Sequence, residues 1–257
     1  MTRVSDGIDR VPLLLNESAD QEFRDQGFAV VPFVAPERLD ALRQRMTELI
    51  PPDSGPFFTL YRNDTPEIRR VLDAAVREEL QPQADAMMCN HRFYVGSILV
   101  KFPGEGSFLD PHQDWSFVDE TQHVSGIVWL PLEATNEGNG GLSVVPGSHR
   151  FDLPYRGTPP EPIDQYLDGL VNVTTRPGEA VIYHNALIHG SSENQSDHPR
   201  IVMALGFVSK QADLVHFFTD NAGQKWRYRV ADDLPFTYQP PSPPKGAVVL
   251  QVEPWPS

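Results

Sequence analysis

Thiol chemistry is nearly absent from this chain: its only cysteine is Cys89. That count excludes an intramolecular disulfide framework and any cysteine-rich zinc site. No nucleophile signature surrounds Cys89, so it reads as a structural thiol. Long apolar runs are scarce as well. Met1 to Asn16 carries only Val11-Pro12-Leu13-Leu14-Leu15, too short for a signal-peptide core or a membrane span. A cytoplasmic, reducing location and no membrane partner are therefore expected. Positive charge is also in short supply, with 21 Lys and Arg against 35 Asp and Glu and a formal net charge of −14. Nucleic-acid binding relies on cations that neutralise phosphates, so this balance argues against such a partner. It sets no oligomeric state.

With 257 residues the chain can bury a sizeable core without covalent staples, and a single domain over 1–257 is expected. Residues 17–88 read as a helix-rich flank. Ser18 is a candidate cap for a first helix ending near Gly27, and Phe28-Ala29-Val30-Val31 follows as a short strand. Pro36 opens a second helix with Leu39, Leu42 and Met46 on one face, and Pro51-Pro52 stops it. Thr65-Pro66-Glu67 introduces a third, with apolar residues at 68, 71, 72, 75 and 76.

Over 92–210 the texture changes to strands separated by Gly, Pro, Asn and Asp clusters, at 93–102, 124–132, 142–145, 170–175, 180–184 and 201–208. No long helix lies between them, so an antiparallel sandwich or jelly roll fits better than a parallel βαβ layout. Residues 133–141 and 156–168 read as loops of a length that is often functional. Residues 211–257 form a C-terminal extension whose proline-rich tail, from Gln239, is expected to be extended and peripheral.

Near the centre lies Asp110-Pro111-His112-Gln113-Asp114-Trp115-Ser116-Phe117. His112 alone of the eight histidines has a carboxylate two positions on. In an extended strand such residues leave the same face. They would then supply two-thirds of a 2-His-1-carboxylate facial triad, the site that holds non-haem Fe(II) with coordination positions open. Alone, this triplet is a weak signal. Downstream, Val181-Ile182-Tyr183-His184 ends a β-run, His189-Gly190-Ser191 follows, and Arg200 opens another strand. By strand parity His184 and His189 are both candidates for the third ligand. A histidine leaving one strand and an arginine entering its antiparallel neighbour would face one cavity. There a metal chelates a keto acid and a guanidinium grips the distal carboxylate. Trp115 and Phe117 follow Asp114 closely and are candidates for the substrate pocket wall; core packing is their other reading. His149, in a Pro-Gly-Ser turn, reads as a hydrogen-bonding loop residue.

Together these residues resemble the phytanoyl-CoA dioxygenase-like branch of the Fe(II)/2-oxoglutarate-dependent oxygenases, over roughly residues 20–210. The resemblance is carried by Gln26-Gly27-Phe28, His112-Gln113-Asp114, Pro146-Gly147-Ser148-His149, His189-Gly190-Ser191, Asn194 and Arg200, in that order and spacing. It implies a mainly β fold with flanking α-helices around a double-stranded β-helix core, jelly-roll and cupin-like. It selects His189 over His184 and makes His112, Asp114 and His189 the iron ligands. Arg200 is implied to hold the distal carboxylate of 2-oxoglutarate, helped by Ser191, with Lys101 and Trp129 lining the cosubstrate pocket. The implied cofactors are Fe(II), 2-oxoglutarate as cosubstrate, and O2, acting on a small-molecule substrate.

Family halogenases mostly carry Gly or Ala where Asp114 stands, so a retained carboxylate favours hydroxylation of an aliphatic C–H bond. Desaturation, epimerisation and ring formation would use the same ligands. Two further readings compete: a cupin-like Zn or Mn hydrolase or isomerase, and a non-catalytic binding protein on the same fold. The Arg200 spacing speaks against the first, the intact triad against the second.

Overall fold

The computed structural model describes residues 11–60, 65–151, 155–158, 163–238 and 241–255, with the side chains of 164–166 left aside. The first helix, α1 (Glu17–Gln26), is capped by Asn16 rather than Ser18. Asn16 is extended, and its side chain accepts from the Ala19 amide at 3.0 Å, which satisfies one of the orphan donors of the first turn. Gly27 ends the helix at φ 82°, a left-handed conformation that only glycine adopts cheaply. Strand β1 (Phe28–Pro32) follows. Pro36 opens a 3₁₀ turn, and α2 (Leu39–Glu48) then buries Leu39, Leu42 and Met46, the face its spacing predicts.

After the short strand β2 (Phe57–Thr59), α3 (Pro66–Met87) runs well beyond the segment its first apolar residues mark out. It passes through Pro82. A proline costs an interior helix about 3 kcal/mol, but Leu80 and Ala84 on either side are fully buried, so packing carries the helix across.

The remaining strands are β3 (His91–Lys101), β4 (Leu109–His112), β5 (Ser125–Pro131), β6 (Leu142–Val144), β7 (Val171–Asn172), β8 (Glu179–His184), β9 (His189–Ser191), β10 (Arg200–Ser209), β11 (Leu214–Thr219), β12 (Lys225–Val230) and β13 (Val249–Trp255). Within the sheets these strands pair antiparallel. A six-stranded sheet has the order β1-β8-β5-β10-β3-β2 and a four-stranded one β4-β9-β6-β7, the two halves of a double-stranded β-helix. The tail is extended, as expected, and lies at a sheet edge with most of its residues exposed or half-buried. Its β13 pairs with β12 to complete a third sheet, β11-β12-β13.

Strand β10 shows how the core is divided. Ile201, Met203, Leu205 and Phe207 pack outward with Phe23, Met46, Leu72 and Leu80 of the helices. Val202, one residue out of phase, joins Trp129, Val181 and Tyr183 of the large sheet against Leu142, Val144 and Leu187. The period of two therefore sends one face to the helical layer and the other to the inter-sheet space. Farther along that inner face stand Ala204 and Gly206, small enough to leave a hollow. Among the described residues no helix is long and apolar enough to cross a membrane.

Candidate active site

The hollow opens where β4 meets β9. His112 and His189 are direct partners across these strands, with ring centroids 4.4 Å apart. Gly190 allows the approach. A Cβ there would lie 2.9 Å from the Leu109 carbonyl and 3.0 Å from Pro111 Cα, inside normal contact. Asp114 completes the group: Oδ1 lies 3.8 Å from His112 Nε2 and Oδ2 3.9 Å from His189 Nε2. All three ligand atoms fall within 4.8 Å of one another.

His112 and Asp114 do not leave one face of a single strand, as their spacing predicts. Strand β4 ends at His112 with a register irregularity, and Asp114 sits beyond it in irregular chain. The two side chains converge because other contacts fix that segment. Likewise β9 and β10 belong to different sheets, so His189 and Arg200 are not on neighbouring strands.

Both imidazoles are held in one tautomer. His112 Nδ1 donates to the Asp110 carbonyl at 2.7 Å and His189 Nδ1 to Leu187 at 2.9 Å. Each Nε2 lone pair is thereby left for a metal, the usual arrangement of ligating histidines. Burial pushes His189 down to about 4, the neighbouring His112 adding to the shift against the opposing effects of Asp114 and the Leu187 hydrogen bond. Its ring is neutral at physiological pH, the form that ligates. Asp114 Oδ2 is buried and has no hydrogen-bond partner among the described residues. Two imidazole Nε2 atoms and an orphaned carboxylate oxygen fit a divalent first-row cation with open positions.

A cationic recess lies on the same inner face. Arg200, the first residue of β10, is the register partner of Lys101, the last of β3. Both are buried. Arg200 donates Nη2 to the Gly140 carbonyl at 2.8 Å, while Nε and Nη1 have no hydrogen-bond partner among the described residues. Its guanidinium lies 5.6 Å from the Trp129 ring centre. Lys101 Nζ donates to the Ser191 and Ser192 carbonyls at 3.1 and 2.5 Å. Burial first, and Arg200 next, push Lys101 down to about 7. Ser191 thus touches Lys101 through its carbonyl, and among the described residues its hydroxyl makes no bond to Arg200. Gly140, at φ 69°, is required here, since a Cβ would meet Lys101 Cδ at 2.8 Å and the Ser192 carbonyl at 2.9 Å.

Beside the ligands is a cavity of about 360 Å³, walled by Trp115 and Phe117 with Tyr94, Ile127 and Tyr183. The alternative ligand His184 lies on the other face of β8. Its Nδ1 accepts from the Ala186 amide at 2.9 Å and its ring packs near Phe23 and His149. His149 hydrogen-bonds the Arg24 carbonyl at 3.0 Å, the loop role expected of it. Three participants went unread in the sequence. Tyr183 has its ring 4.8 Å from that of His189, Gly140 shapes the recess, and Arg156 lies behind Asp114. Of these, only the phase of β8, one residue from His184, held a signal.

His216 is fully buried behind Trp115, and among the described residues neither ring nitrogen has a hydrogen-bond partner. Burial pushes it down to about 3. Its folded-state value lies below the unfolded one of about 6.5, so the unfolded chain takes up the proton first. Stability is therefore full above about pH 6.5 and falls towards pH 3, by roughly 1.4 kcal/mol per unit from this residue. His184 and His189 shift in the same direction. In urea unfolding of the metal-free protein between pH 7 and 5, His216→Phe should show a shallower pH dependence than wild type. Equal slopes would mean that His216 does not remain neutral.

The family profile for phytanoyl-CoA dioxygenase (PhyH) matches residues 23–202. "Phytanoyl-CoA dioxygenase 1" of Oryza sativa is 32% identical over 122 residues, covering 44% of this chain and 43% of that protein. The match thus spans less than half of that relative's length. Among solved structures, a non-heme alpha-ketoglutarate-dependent carbocyclase from nogalamycin biosynthesis, SnoK, superposes with TM-score 0.57 at 20% identity, covering 78% of this chain and 86% of its own. EvdO2 from Micromonospora carbonacea, complexed with 2-oxoglutarate, gives 0.56 at 22% identity, covering 77% and 93%.

Proposed function

The chain belongs to the phytanoyl-CoA dioxygenase family, and from that footing we propose that it is an Fe(II)- and 2-oxoglutarate-dependent dioxygenase. It hydroxylates an aliphatic C–H bond of a small metabolite or natural-product intermediate. One observation carries the reading. Two tautomer-fixed Nε2 atoms and a buried carboxylate oxygen converge, with a buried, part-unpaired guanidinium on the same inner face. When bound, Fe(II) with 2-oxoglutarate and O2 supplies the oxidising power, one oxygen atom entering succinate as carbon dioxide leaves and the other entering the substrate hydroxyl.

The remaining work belongs to this chain's residues. His112, Asp114 and His189 hold the metal on one face and leave the other open. Arg200 offers its unpaired Nε and Nη1 to the distal carboxylate of 2-oxoglutarate, with Trp129 against the guanidinium and Lys101 adding positive charge. Trp115, Phe117, Tyr94 and Ile127 give the substrate an apolar wall beside the ligands. That lining favours an apolar reacting group.

Anaerobic addition of Fe(II) and 2-oxoglutarate should produce a visible metal-to-ligand charge-transfer band. Its absence would favour a Zn or Mn hydrolase or isomerase. A non-catalytic binder would form no succinate with any substrate. The likeness to a carbocyclase keeps ring formation as a second oxidative outcome on the same ligands, to be separated by product mass: hydroxylation adds one oxygen, ring closure removes two hydrogens.

A further inference from the structure

We infer that Arg156 is a positioning residue for the Asp114 carboxylate, an inference that rests on the metal-centre reading above. Asp114 lies outside any strand, so no ladder of backbone bonds sets its orientation. Arg156 supplies what the ladder does not. Its Nε donates to the Asp114 carbonyl at 2.9 Å. Its backbone amide donates to Ser116 Oγ at 3.1 Å, and its carbonyl accepts from the Ser116 amide at 3.0 Å. One residue thus grips the ligand segment at three points, at Asp114 and two positions beyond it.

The grip is itself fixed. The Arg156 side chain is only 6% exposed, and Glu120 pairs with it in a fork, Nη1 to Oε2 at 2.7 Å and Nη2 to Oε1 at 2.5 Å. A buried guanidinium without such a partner would be strongly unfavourable. With both Nη atoms engaged by Glu120, Nε is directed to Asp114 by the planar geometry of the group. The chain continues into the third sheet. The Thr158 amide donates to Phe217 and its carbonyl accepts from Thr219, at 3.0 and 2.9 Å. Gly157 lies so close that a Cβ would come within 2.0 Å of the Phe217 carbonyl. From Glu120 through Arg156 to β11, the C-terminal sheet therefore braces the one metal ligand that no strand holds.

Lysine cannot form the fork and reach Asp114 together, so Arg156→Lys keeps the charge and both backbone bonds to Ser116 and removes the one grip made on Asp114 itself. The probe is Co(II), titrated into the metal-free full chain and followed by its visible d–d absorption, without substrate or 2-oxoglutarate. Losing a ligand's supporting hydrogen bond commonly weakens metal binding about 10- to 100-fold, and that loss is expected for Arg156→Lys. The d–d envelope should also shift, which a merely weakened fold would not cause. Tyr155→Phe is the structural control. It removes a bond to Asp119 at 2.9 Å from the adjacent residue and should leave Co(II) affinity within about twofold. Co(II) affinity and spectrum unchanged in Arg156→Lys, or equal weakening in both variants, would overturn the inference. A wild-type chain that binds Co(II) but gives no charge-transfer band with Fe(II) and 2-oxoglutarate would overturn the oxygenase reading and leave this one standing. A wild-type chain that binds no Co(II) would overturn both.

Discussion

Asp114→Ala should abolish substrate-linked succinate formation while leaving the fold intact. The two outcomes are separable because of where the carboxylate stands. Asp114 Oδ2 is buried without a partner among the described residues, and Oδ1 and Oδ2 lie 3.8 and 3.9 Å from the two imidazoles, too far for hydrogen bonds. Such a group contributes little to stability, since an unsatisfied buried acceptor is a cost that its removal relieves. Its backbone is held through the carbonyl, by Arg156, and alanine keeps that carbonyl. The melting temperature should stay level or rise slightly. Activity should fall by more than the roughly 10- to 100-fold that loss of a ligand's hydrogen-bond partner costs, because a ligand itself is removed. Succinate quantified by mass spectrometry, beside a thermal melt of the metal-free proteins, makes the test. Near-wild-type turnover would remove Asp114 from the ligand set. Loss of activity together with a collapsed melt would show that the carboxylate has a structural role that its contacts do not reveal.

The parts of this architecture that were legible in the sequence are those with a local period. The helical face of Leu39, Leu42 and Met46 and the alternation along β10 are written in the spacing of apolar residues, because burial of one face imposes the repeat. The residues gathered at the site, His112, Asp114, His189, Lys101 and Arg200, are those the sequence singles out. The reasons for their meeting are partly different. Parity along one strand suggested His112 and Asp114, but the strand stops at His112. His189 and Arg200 lie on separate sheets, and it is Lys101 that sits opposite Arg200 in register.

What escaped was set by contacts between residues distant in sequence, which leave no periodic trace. The pairing of β13 with β12 is masked by the prolines that precede it. The continuation of α3 through Pro82 depends on how well Leu80 and Ala84 are packed. Arg156 opens a loop that the sequence marks as functional by its length alone, and the residue gains its meaning only from Asp114 and Glu120, 42 and 36 positions away.

Arg200→Ala should act on cosubstrate use rather than on the metal. The wild-type guanidinium is buried, bound at one nitrogen by Gly140 and backed by Trp129, with Nε and Nη1 unpaired. Two unpaired donors in a planar fork are what a carboxylate can accept from bidentately. Truncating one side of a buried charge pair costs about 2–5 kcal/mol, so KM for 2-oxoglutarate should rise by about 30-fold or more. Fe(II) or Co(II) affinity measured without 2-oxoglutarate should not change. Residual cosubstrate binding would pass to Lys101, the register partner. In the wild type its ammonium is held down to about 7 by burial, with Arg200 the second cause. Removing Arg200 removes that repulsion, and the lysine should stay protonated to higher pH than before. The variant's affinity for 2-oxoglutarate should therefore weaken as pH rises through the lysine's new value, and Arg200→Ala with Lys101→Ala should lose this dependence. A KM unchanged in Arg200→Ala, but raised when Lys101 alone is replaced, would move the carboxylate clamp from β10 to β3.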